Sequence, residues 1–301
     1  MSGKDSTAGF SSSSSARPLS ALLISIVSIQ LGASFAKRLF PLVGAAGATG
    51  LRTTVATLLL FVIWRPWRQK ISRVSLLAIL PYGASLGLMN LLFYWSIARI
   101  PLGVAVALEF TGPLGVAILS SKRPKDFIWA ILAAAGVALI LPLSPASVAI
   151  DPLGAGLALA AGGFWALYII FGQKASHSMH EGRAAALGMA VAALVTLPVA
   201  VVQSGAQLLH WNRVPLALTV GVFSSALPYS LEMYALKKIP AKTFGILMSL
   251  EPAVAAFFGL LLLHESLAWI QWTAIACIMV ASAGSSLSID RAVQVGVIDP
   301  V

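Results

Sequence analysis

Charge is the scarcest property of this sequence. Only 10% of its 301 residues are charged, while 58% are hydrophobic; a soluble domain carries about a quarter charged residues. Acids are rarer than bases, ten against twenty. That shortage excludes an ordinary soluble domain, because apolar runs of ~20 residues recur along the whole length. There is a single cysteine, Cys277, inside an apolar run. An intramolecular disulfide and a Cys-x-x-Cys site are therefore both excluded, and the thiol reads as a small core residue. The sequence contains no Gly-x-x-x-x-Gly-Lys phosphate cradle and no His-Glu-x-x-His zinc helix. No cofactor or metal is expected, and an ATP-driven pump would need a partner subunit to supply its nucleotide site. His177, His180 and Glu181 read as a solvated loop rather than as ligands. The net charge of +10 does not point to nucleic acid, because the bases sit in short clusters between apolar runs. Such clusters are the pattern of loops on one side of a lipid bilayer.

What the sequence has in abundance is membrane-length hydrophobic segments. Met1–Pro18, with serines at Ser11–Ser15, reads as a disordered tail. Ten apolar segments follow: Leu19–Ala36, Leu42–Trp64, Val74–Ile97, Leu102–Leu119, Phe127–Leu143, Pro152–Gly172, Ala184–Val202, Val214–Leu236, Thr243–Leu262 and Leu267–Leu287. The expected fold is all-α and polytopic, with ten transmembrane helices. The domains would be a cytoplasmic tail (1–18), a first five-helix unit (19–143), a second (152–287) and a C-terminal tail (288–301). With the N-terminus inside, fifteen basic residues fall on the cytoplasmic side, from Lys4 and Arg17 to Arg291. Four fall on the other (Lys37, Arg38, Arg99, Arg213), and Arg52 lies within a span, which accounts for all twenty. This positive-inside bias also places both termini in the cytoplasm.

The two halves carry a weak echo of each other. Shifted by 139 residues, Ile100-Pro101, Leu108, Pro113 and Ala117 match Ile239-Pro240, Leu247, Pro252 and Ala256. Five spans per half is an odd number, so the second unit enters the membrane from the opposite side. An inverted repeat of this kind holds its ligand near the midplane, between the halves.

The polar residues that remain inside the spans are few. Arg52 lies roughly 14 Å deep at 1.5 Å per residue, close to the middle of a ~30 Å core. It is read either as a fork for a substrate carboxylate or as a structural ion pair with Glu109 or Glu251. Glu109 and Glu251, ~10 and ~12 Å from the ends of their spans, are too short to reach the interface and must be protonated or paired. They are candidates for proton coupling or for the substrate's ammonium. Glu232 lies nearer the cytoplasmic end, within reach of Lys237 or Lys238. Asn90 shares a stripe with Gly83, Gly87 and Tyr94, as interhelical glue or cavity lining. Trp165 and Tyr168 form an aromatic stripe, for packing or for ligand contact. Helix kinks are expected at Pro113, Pro228 and Pro252.

Four stretches carry a family resemblance: SIQLGASFAKRLFPLVG (Ser28–Gly44), PLGVAVALEFTGPLGVA (Pro101–Ala117), ALPYSLEMYAL (Ala226–Leu236) and KTFGILMSLEPAVAA (Lys242–Ala256). The chain resembles bacterial inner-membrane amino-acid exporters of the EamA-type branch of the drug/metabolite transporter superfamily, over essentially all ten spans. The resemblance implies two inverted five-helix repeats. It also implies export of small neutral amino acids such as threonine and homoserine, driven by the proton-motive force. Other cargo remains open: other amino acids, cysteine-pathway metabolites, or organic cations such as methyl viologen. Two alternatives remain: a membrane-embedded enzyme, whose ionisable cluster would belong at one interface rather than at the midplane, and a non-transporting scaffold, which would have little reason to retain three buried charges. The oligomeric state is not legible.

Overall fold

A computed structural model describes residues 12–68, 70–120, 127–140, 150–236, 238 and 241–294. Among these the chain is helical with no strand. Its helices are α1 (Ser12–Trp64), α2 (Arg73–Ile97), α3 (Leu102–Glu109), α4 (Thr111–Ser120), α5 (Phe127–Ile140) and α6 (Pro152–Ser178). They continue with α7 (Glu181–Ser204), α8 (Val214–Gly221), α9 (Leu227–Leu236), α10 (Ala241–Met248), α11 (Glu251–Leu263) and α12 (Trp269–Gln294). Seven helical stretches of the described chain are long and apolar enough to cross a membrane, and Leu102–Val116 and Phe127–Ile140 are shorter apolar ones. Leu58, Val62, Leu77, Ile131 and Leu194 stand exposed on the outside. On a soluble protein such a surface would be an association hazard. Here it is the face for lipid, and the chain is a multi-pass membrane protein.

Several sequence expectations shift. Helix α1 starts at Ser12, so part of the serine run read as tail is helical; residues 1–11 lie outside the described chain. The helix also continues through Lys37–Pro41, where a loop was expected, and its turn falls at Gly44 (φ 70°, ψ 170°). A straight helix of 53 residues would run roughly 80 Å, far beyond a ~30 Å core. Glycine alone takes that backbone conformation without strain. The residues before the turn stay helical because their side chains are held: Arg38 Nη2 donates to the Leu262 carbonyl at 2.9 Å, and Lys37 pairs with Glu265. The expected loop at His177–Glu181 shrinks to Met179–His180, since His177 ends up in α6 and Glu181 opens α7. There His180 Nδ1 accepts the N–H of Gly182, capping α7.

Just before each of the three prolines the chain departs from regular α-helix. Each lacks an N–H for the carbonyl four residues earlier. Before Pro113 the chain breaks at Phe110, between α3 and α4. Before Pro252 it breaks at Ser249–Leu250, between α10 and α11. Before Pro228 the residues Val222–Ala226 form a π-turn between α8 and α9.

Glycines bring the elements together closely. A Cβ on Gly112 would sit 1.8 Å from the Gly162 carbonyl, so α4 crosses α6 nearly main chain to main chain. A Cβ on Gly103 would meet Ala256 Cα at 2.6 Å, joining α3 to α11. Gly83 and Gly87 seat α2 on α7, where added methyls would meet Val191 and Ala192. Gly83-Ala84-Ser85-Leu86-Gly87 thus spells Gly-x-Ser-x-Gly inside a continuous helix. A nucleophile elbow needs a strand-to-helix turn instead.

Candidate functional site

A cavity of about 580 Å³ lies among α1, α2, α3, α4, α6, α9, α10, α11 and α12. That is within the range of about 300–1,000 Å³ typical of small-molecule sites. Arg52, Asn90, Glu109, Trp165, Tyr168, Glu232 and Glu251 all line it. They come from six separate helices, so only the tertiary fold assembles them. Of the three prolines, Pro113 lines the cavity as well.

Arg52 is 5% exposed, and among the described residues no carboxylate pairs with it. Of the two readings of Arg52, the ion pair with Glu109 or Glu251 is not formed, and a neutral cradle from α2 holds the side chain instead. Nη1 donates to the Tyr94 hydroxyl at 3.0 Å, and Nη2 donates to Asn90 Oδ1. The guanidinium carbon lies 4.9 Å from the Tyr94 ring centroid, an orientation that adds cation–π attraction. Asn90 Nδ2 in turn donates to the Leu86 carbonyl at 2.8 Å, which fixes which way the amide points. Asn90 is thus both interhelical glue and cavity lining. Arg52 Nε is buried with no partner. Neutral acceptors hold the side chain in place and no carboxylate bonds it directly, a state in which a guanidinium can still take an anion.

Glu109 and Glu251 are 7% and 3% exposed. Glu109 ends α3 and Glu251 begins α11, so the two helix breaks place both carboxylates on the cavity wall. Glu232 does not turn out toward the interface to a lysine. It points inward, and its Oε1 accepts from Ser25 Oγ at 2.8 Å; Lys237 lies outside the described residues. With every carboxylate ionised, one guanidinium would face three negative charges. The aromatic stripe of α6 joins the wall through ring contacts: Trp165 meets Phe110 edge-on at 5.3 Å, and Tyr168 stacks on Tyr82 at 5.1 Å.

Sequence reasoning passed over Tyr94 as the partner of Arg52, although it lies one turn from Asn90 on the same stripe. It also passed over Gln30, Tyr82 and Tyr229, which line the cavity. Tyrosine and glutamine carry no formal charge, so they do not stand out in an apolar run.

The cavity is asymmetric along the bundle. At one end its lining reaches Gly172, Phe244 and Ser286. Toward the other end the described lining stops at Ala33 and Phe93, and Ile97, Ile100 and Leu102 are buried beyond it. Over them lies Glu265, joined to Lys37 and to the N-terminus of α3.

The family model of the EamA-like transporter family matches residues 152–287. The threonine/homoserine exporter RhtA of Salmonella typhimurium (strain LT2) is 51% identical over 282 residues, which is 94% of this chain and 95% of that protein. RhtA of Escherichia coli (strain K12) is 49% identical over the same shares. The uncharacterized transporter sll1319 of Synechocystis sp. is 24% identical over 68% of this chain and 64% of its own. A solved crystal structure 18% identical in sequence superposes with a TM-score of 0.58, covering 91% of this chain and 98% of its own. At that identity the likeness concerns the fold alone.

Proposed function

Because the chain belongs to the EamA-like transporter family, we propose that it exports small neutral amino acids, threonine and homoserine among them. The observation that carries this reading is the cavity itself, where one guanidinium, bonded directly to no carboxylate, shares a wall with three of them. A zwitterion fits such a site end for end. Its carboxylate is taken by Arg52, and its ammonium by Glu109 or Glu251. The carboxylates exceed the guanidinium by two, so an empty site must take up protons or cations to limit the cost of buried charge. Exchange of those protons for substrate is what couples export to a proton gradient. No reaction chemistry is assigned to any of these residues.

The architecture that goes with this reading is ten membrane passes in two inverted five-helix repeats, 19–143 and 152–287, in the bacterial inner membrane with both termini cytoplasmic. Support comes from the turn inside α1, from the parallel breaks before Pro113 and Pro252, and from the contact of α3 with α11. In that orientation the cavity faces the cytoplasm at Gly172, Phe244 and Ser286, and Lys37–Glu265 seals the outer side.

Amino-acid counterflow in proteoliposomes, with and without an imposed pH gradient, tests the proposal. Threonine exchange accelerated by the gradient is expected; exchange indifferent to it removes the proton from the mechanism. The excess of carboxylates favours one second reading, a cationic cargo such as methyl viologen. A competition panel in the same vesicles decides between them.

A further inference from the structure

Gln30 lies on the first arm of α1, is 2% exposed and lines the cavity. The hydroxyls around it on the same helix are all engaged. Ser25 Oγ donates to Glu232 at 2.8 Å, Ser28 Oγ to the Phe223 carbonyl at 2.6 Å, and Ser34 Oγ to the Gln30 main-chain carbonyl at 2.9 Å. The side-chain oxygen of Gln30 has no partner. A buried amide oxygen without a donor is costly, and a leucine or methionine would fill the same space without that cost. Its lining neighbours on α1, Ile29 and Ala33, offer nothing to bond.

The charged groups of the site meet the carboxylate and the ammonium, which every amino acid carries. They cannot tell threonine from valine. An apolar and aromatic wall by itself would favour valine, because the hydroxyl of threonine would lose its water without compensation. Discrimination needs a neutral hydrogen-bonding group that the protein leaves free. Asn90 is spent on Arg52 and Leu86, and Ser224 Oγ donates to the Val220 carbonyl at 2.7 Å. We propose that Gln30 reads the substrate's side-chain hydroxyl, its unpartnered Oε1 accepting the hydroxyl hydrogen. This rests on the reading of the cavity as an amino-acid site and adds to it the class of side chain preferred, the hydroxylated one.

The test compares threonine with valine, and homoserine with norvaline, in counterflow by proteoliposomes of the wild type and of Gln30→Leu and Gln30→Met. In the wild type the hydroxylated member of each pair is exchanged faster. In the variants its rate falls about tenfold, the size of one lost hydrogen bond, while valine and norvaline hold or gain. Gln30→Met repeats the measurement should Gln30→Leu fail to insert, and the apolar substrates report that the carrier works. If the wild-type preference survives both substitutions, or if all four rates fall together, Gln30 does not read the hydroxyl. A wild type that moves none of the four overturns the amino-acid reading itself, which is a distinguishable result.

Discussion

Glu265 Oε2 accepts the backbone N–H of Leu102 at 2.7 Å, across 163 residues of sequence. The contact depends on the end of α11, where His264 takes a left-handed conformation (φ 55°, ψ 32°) and the Glu265 N–H bonds the Gly259 carbonyl at 3.0 Å. That turn sends the carboxylate back across to the start of α3, whose N-cap, Pro101, offers no side chain to cap it. A carboxylate at a helix N-terminus is favourably placed. Its other oxygen pairs with Lys37, whose Nζ also donates to the Ile100 carbonyl. One acid thus fastens α1, α3 and the loop after α11 at the closed end of the cavity.

Glu265→Gln and Lys37→Met should each lower thermal stability in detergent by about 1–2 kcal/mol, as expected for a partly buried charge-assisted bond. The double variant should lose little more than either single one, because both remove the same contact. Thermal melts of the four proteins form the cycle that checks this. Simple additivity would show that the two residues act separately.

Arg52→Ala should slow amino-acid counterflow by at least about tenfold, roughly 1.4 kcal/mol of binding. Arg52→Lys should do nearly as poorly, since an ammonium cannot hold Asn90 and Tyr94 and still present a planar fork. Counterflow is measured alongside the amount of folded protein in the membrane. An Arg52→Ala carrier as fast as wild type removes the arginine from substrate binding.

Glu109→Gln, Glu232→Gln and Glu251→Gln separate exchange from coupling. At least one should keep threonine exchange yet lose its acceleration by a pH gradient. The measurement is counterflow at equal and unequal pH for each variant. If all three respond to the gradient as the wild type does, the proton is not carried by these acids.

Gly112→Ala should destabilise the protein by about 1–3 kcal/mol, the usual cost of forcing bulk into a filled contact. Its new methyl would lie 1.8 Å from the Gly162 carbonyl. Gly115→Ala, one turn along the same helix, meets nothing within 4 Å and should be near neutral. Gly44→Ala also meets no neighbour, so any loss there, about 1–3 kcal/mol, comes from the backbone conformation alone. Melting curves of the three variants decide.

The all-helical membrane character and the deep charges were legible because lipid makes both conspicuous: long apolar runs mark passes, and an isolated Arg or Glu is too costly to be incidental. The turn of α1 was misplaced for a physical reason. Lys37, Arg38 and Pro41 resemble a loop, yet the two cations are bonded to other elements and the reversal needs the freedom of Gly44. The partners of Arg52 were not legible, because charge suggests charge, whereas the fold supplies an amide and a phenol. Gln30 was invisible for a related reason. A neutral side chain in an apolar run stands out only when its missing bond can be counted.

The π-turn at Val222–Ala226 sets the rotational register of α9. Such a turn holds one residue more than an α-helix of equal rise. Deleting a single residue there would let the five-residue segment relax into four residues of regular helix. The two turn through about the same angle, roughly 400°, so α9 would keep its bearing and Tyr229 and Glu232 their places on the cavity wall. The regular helix α2 has no such slack: losing Leu88 would turn Asn90 and Tyr94 by about 100° relative to the turns before them and take both from Arg52. A one-codon deletion is thus absorbed at the bend, where the same lesion in α2 re-aims half a helix.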